Sequence, residues 1–131
     1  MKSMQPTTET LAAHLRAAQI ARDRGERPPE RFVAAVEDLA RALALDPGDR
    51  DTLLRHGQAH LDWARDRFEH GEDTAPQREI AERDFARLLE AAPTDVDAAM
   101  NRGLARLFAA GERLSRGEDP ERDFAAGLAD F

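Results

Sequence analysis

Apolar residues fall three and four apart from Phe32 to Leu43, where Phe32, Val36, Leu39 and Leu43 line one side of a helix and Glu37, Asp38 and Arg41 lie off it. Ile80, Phe85, Leu88 and Leu89 form a looser stripe of the same period. Both predict amphipathic helices, beginning near Pro29 and Pro76, where a proline is tolerated because the first helical amide has no partner. A third is expected from Pro120, and the first two end before Pro47 and Pro93. Each is preceded by another predicted helix, over residues 7–24, 51–70 and 97–116, closed by Gly25, Gly71 and Gly117, which can take the left-handed conformation of a helix stop.

The alternation of helices is a true repeat. A shift of 46 residues places Asp51 on Asp97, Gly57 on Gly103, Ala59 on Ala105, Leu61 on Leu107 and Arg67 on Arg113, and carries Gly71-Glu72-Asp73 onto Gly117-Glu118-Asp119. The same shift backward sets Ala13-His14-Leu15 under Ala59-His60-Leu61, and Ala35, Asp38 and Arg41 under Ala81, Asp84 and Arg87. Three units result, about 7–47, 48–93 and 94–131, within one domain spanning 1–131. In the last unit Glu121-Arg122-Asp123-Phe124-Ala125 repeats Glu82-Arg83-Asp84-Phe85-Ala86 at a shift of 39, so the connection there is expected to be seven residues shorter. Stacked hairpins would bury Leu39, Phe85 and Phe124 between helices, with small residues such as Ala42, Gly57, Ala81 and Gly103 allowing close approach.

Composition supports an all-α chain. There are 25 Ala and 14 Leu but only five Val and Ile together, which favours helix and leaves little for a sheet. The 131 residues suffice for one modest core. A formal charge of −7 offers no basic excess for nucleic acid, and nowhere do eighteen apolar residues run together, so neither nucleic acid nor a membrane is an expected partner. Without an apolar leader the default location is the cytoplasm. Eighteen of the 19 basic residues are Arg, the bias of a GC-rich, bacterial coding sequence.

The stretch from Ala35 through Leu39 and Ala42 to Pro47 resembles the second helix and closing turn of a tetratricopeptide repeat: a small residue, a large apolar one four on, a small one three later and a proline five beyond. Ala81, Phe85, Leu88 and Pro93 repeat it, with Leu88 where alanine is usual. Leu53 and Gly57 follow the first-helix pattern, and His60 stands where tyrosine is common. A period of 46 makes these overlong variants of a repeat that normally has 34 residues, and the resemblance implies a right-handed superhelical array of three helical hairpins.

By that resemblance the chain is an adaptor or scaffold, and a peptide or partner helix binds a concave face lined by the first helices: Arg16 from unit one, Leu54, Arg55, Gln58 and Asp62 from unit two, Met100, Asn101, Leu104 and Phe108 from unit three. Arg55, Gln58 and Asn101 supply planar donors and acceptors for a backbone or carboxylate, and Met100 and Phe108 supply apolar contact. The lysine and asparagine clamp that some members use for chaperone C-termini is missing, since Leu54, Gln58 and Asp97 occupy its places. The alternative is a structural, self-associating unit that stacks through the third hairpin, where Leu128 and Phe131 would be exposed unless something covers them.

Other chemistry is thin. His56 and His60 are four apart, a spacing at which two imidazoles can share a metal, but His14 and His60 hold the same repeat position, so packing histidines are expected and no metal or other cofactor. Trp63 aligns with Ala17 and Ala109, which favours packing over a contact role. With no Cys or Tyr, serine only at Ser3 and Ser115 and no glycine-rich loop after a strand, the chain is not expected to be an enzyme.

Overall fold

The computed structural model describes residues 29–131, and the described residues form helices and no strand. The helices are α1 (Pro29–Leu45), α2 (Arg50–Glu69), α3 (Ala75–Ala91), α4 (Val96–Ser115) and α5 (Glu121–Ala129). The helix expected over 7–24, with His14 and Arg16, lies outside the described residues.

Local chemistry explains the boundaries. Asp95 caps α4, its side chain accepting from the Ala98 amide at 3.2 Å. At the equivalent Asp49 the carboxylate accepts instead from the Thr52 hydroxyl. Pro76 sits in the first turn of α3. Gly71 (φ 69°) and Gly117 (φ 74°) close α2 and α4 in the left-handed region. In both places the next amide reaches back, Glu72 to the Arg67 carbonyl at 2.8 Å and Glu118 to that of Arg113 at 2.9 Å, which completes a Schellman motif.

Each helix packs on its neighbour in the chain, and α2 also touches α4. One core cluster joins Leu53, Leu54 and Leu61 of α2 to Ala81, Phe85 and Leu88 of α3 and to Ala98 and Ala105 of α4. A second joins Val36 and Leu39 of α1 to Ala59 of α2. Trp63 packs against it, stacked on Phe32 at 6.2 Å and on His60 at 6.2 Å between centroids. The expected stripe of α1 is thus the buried one, with Phe32 and Leu39 fully inside. Gly57 lets α3 approach: a Cβ there would lie 2.6 Å from Cε1 of Phe85.

The third unit departs from expectation. Ala75 and Glu121, which open α3 and α5, are 46 residues apart, as are Arg50 and Val96, so the connection is not shortened. The contacts keep the same register: Gly57 lies against Asp84 and Phe85, and Gly103 against Asp130 and Phe131. Phe131, not Phe124, is therefore the counterpart of Phe85. The Glu-Arg-Asp-Phe-Ala match at a shift of 39 reflects similar local composition and does not align the helices. Phe124 is not a core residue either; it is 38% exposed.

Candidate functional site

Among the unburied residues of α2 and α4, one set on each helix runs its length at spacings of three and four. On α2 it comprises Asp51, Arg55, Gln58, Asp62, Arg65 and Glu69, on α4 Asp97, Asn101, Leu104, Phe108, Gly111 and Ser115. The spacings of three and four keep each set on one face. The two strips are repeat-equivalent, residue for residue, and lie on helices that touch. The α2 strip is polar with both signs of charge; the α4 strip carries one charge, Asp97, and an apolar centre at Leu104 and Phe108.

Near the ends of the two helices the strips meet. Phe68 lies 6.0 Å from Phe108 between centroids, and the Arg65 guanidinium stands 5.9 Å over the Phe108 ring. Gly111 makes room for Phe68, whose Cζ would be 3.3 Å from a Cβ there. The Nδ2 of Asn101 donates to the Asp97 carbonyl at 2.8 Å, which orients its amide.

Of the residues anticipated from sequence, Arg55, Gln58, Asp62, Asn101 and Phe108 fall on these strips. Leu54 does not: it is 9% exposed in the core, because α4 covers that side of α2. Met100, its repeat equivalent, is 47% exposed beside a cavity of about 400 Å³ that Val96 and Phe131 also line. Arg16 lies outside the described residues.

The two histidines sit between α2 and α3. Nδ1 of His56 is 2.5 Å from a carboxylate oxygen of buried Asp84, and its ring meets His60 edge-on at 4.7 Å. Nδ1 of His60 is buried without a partner. Burial, aided by the nearby His56, pushes the His60 pKa down to about 4, against the pull of Asp84. Among the described residues no group of three or more metal-ligating side chains converges.

Two polar contacts between units had escaped the sequence reading. Arg50 at the start of α2 donates to Asp95 at 3.0 and 2.8 Å and to Asp97 at 3.0 Å. This fork raises the Arg50 pKa above its ordinary value and holds Asp95 below the usual carboxylate range. Buried Glu112 of α4 accepts from the hydroxyl of buried Thr74, just before α3 begins, and from Arg116 at 3.0 Å. Its repeat equivalent is Asp66, also acidic and also buried, and that coincidence was the available signal.

Among the described residues no helix is long and apolar enough to cross a membrane. Comparison of the chain with protein-family models, with curated proteins and with solved structures finds no match.

Proposed function

We propose that the chain is a protein-binding adaptor or scaffold of tetratricopeptide type, a right-handed superhelical array that engages an extended peptide or a partner helix along the α2 and α4 strips. One observation carries this reading: two touching helices at the same repeat position leave matched unburied strips, polar on α2 and apolar at the centre of α4. A ligand lying across them meets charged and amide groups from Arg55, Gln58 and Asp62 and an apolar patch from Leu104 and Phe108. Such a surface binds and positions; it assembles no nucleophile, base and orienting group for catalysis. A cytoplasmic setting suits this role.

The test is paired affinity capture from a lysate of the source organism, with the wild-type chain and an Arg55→Glu, Leu104→Glu variant of equal helicity and melting temperature as baits. The reading predicts a protein partner retained by the first and lost by the second. Identical recovery by both baits contradicts it.

A further inference from the structure

Arg41 and Arg87 hold one repeat position, and Asp38 and Asp84 hold another. In unit one Arg41 pairs with Asp38, three residues back along α1. In unit two Asp84 lies against His56 instead, at 2.5 Å, and Arg87 of α3 has no carboxylate partner among the described residues. This unpaired cation lines a cavity of about 370 Å³ set between the turn at Pro47, the start of α2 and the end of α3. Leu53 and Leu88 of the core line it too, with Ala91 and Ala92. The other charged lining groups are Arg50 and Asp95, and they satisfy each other through bonds of 3.0 and 2.8 Å. One positive charge, that of Arg87, is therefore left over at an aliphatic cavity. The Leu88 and Ala92 carbonyls at the end of α3 already accept from the Ala92 and Asp95 amides, so they ask no donor of an occupant.

We infer that this cavity binds a small aliphatic monocarboxylic acid, its apolar body against Leu53, Leu88 and Ala91 and its carboxylate paired with the Arg87 guanidinium. Size favours a small molecule, since a cavity of this volume holds neither a helix nor a strand. The lining is aliphatic and has no aromatic ring to stack on, which suits a saturated body. Charge selects the head group. A guanidinium takes a carboxylate through two parallel N–H donors, and a single negative charge cancels the one left over. A phosphate dianion would overshoot that balance beside Asp95, in a chain whose net charge is −7. None of the strip residues of α2 and α4 lines the cavity, so this ligand is additional to the partner proposed for the strips.

Titration of the isotope-labelled 131-residue chain with isocaproate, followed through amide NMR shifts, tests this beside isocaproamide, which has the same shape and no charge. The acid should shift the amides of Leu53, Arg87, Leu88 and Ala91 saturably, with a Kd on the order of 1 mM for so few atoms. The amide on the wild type, and the acid on an Arg87→Gln variant, should each bind about tenfold more weakly. Arg87 is exposed and unpaired, so that variant should keep the wild-type helicity and melting temperature. Ala91→Phe, which places a ring at the cavity, should abolish binding, whereas the Arg55→Glu, Leu104→Glu variant should bind as the wild type does and so separates this site from the strips. No saturable shift below about 10 mM would overturn the inference. So would equal binding of acid and amide, binding that Arg87→Gln or Ala91→Phe leaves intact, or tighter binding of acetyl-Ala-Ala-Leu, whose carboxylate ends a peptide chain.

Discussion

Arg102 of α4 grips Asp130 beyond α5 with hydrogen bonds of 2.7 and 3.2 Å, 28 residues apart in sequence, and so occupies the place that His56 takes opposite Asp84 one unit earlier. Arg106 adds a bond of 2.8 Å to the same carboxylate. The acid persists at this position and its partner changes, so the clasp within the hairpin is a charge-assisted pair in one unit and an imidazole contact in the other. Asp130→Ala should leave two half-buried guanidinium groups unmatched and cost about 1–2 kcal/mol, with Asp130→Asn losing somewhat less. Urea denaturation of the two variants measures this; equal stability to wild type would make the contact incidental.

Gly57→Ala should destabilise despite the better helix propensity of alanine. The new methyl meets the Phe85 ring, and the cost of overpacking, about 1–3 kcal/mol, exceeds the roughly 1 kcal/mol gained in propensity. Phe85→Ala alone should cost about 3–5 kcal/mol. In the double variant the costs should fall short of additive by at least about 0.5 kcal/mol, because the clash disappears with the ring. Strict additivity in a denaturation cycle would deny the contact.

Much of this core was legible from spacing. Phe32, Val36 and Leu39 are buried as their period demanded, and Gly71 and Gly117 stop helices where their positions required. Periodicity also places Arg55, Gln58 and Asp62 on one face, and all three are unburied. It could not say how far the next unit reaches over that face, and Leu54 was lost to the core for that reason. Short motif identity misled at Phe124: five matching residues at one shift weighed more than the spacing of helix starts, whereas packing follows the helix starts. Contacts such as that of Arg50 with Asp95 depend on how units stack, and no local pattern announces them.

Acid should weaken the fold through His60. Its folded pKa of about 4 lies below the ordinary 6.5, so the unfolded chain takes up the proton first. The stability associated with neutral His60 is complete above pH 6.5 and is lost as pH falls toward 4, a loss of about 3 kcal/mol at most. Between pH 6.5 and 4 the melting temperature of His60→Gln should fall less steeply than that of wild type. Parallel slopes would remove His60 from the acid response.

The two aspartates that open α2 and α4 should differ in weight. Asp95→Ala loses both the cap on Ala98 and the fork from Arg50, about 1–2 kcal/mol, whereas Asp49→Ala loses only its contact with Thr52 and should cost less than half as much. The Arg50 side chain is 45% exposed, so part of the Asp95 effect should fade in molar salt. Thermal melts at low and high salt decide it, and equal losses at the two positions would contradict the ranking.

The most direct measurement places a photo-crosslinking residue at Gln58 or Leu104 on the strips, or at the exposed Arg83 of α3 as a control, in cells of the source organism. If the strips of α2 and α4 bind a protein partner, one and the same protein is captured from positions 58 and 104 and is absent from position 83. Equal capture from all three positions, or none from the strips, contradicts a binding role for this surface.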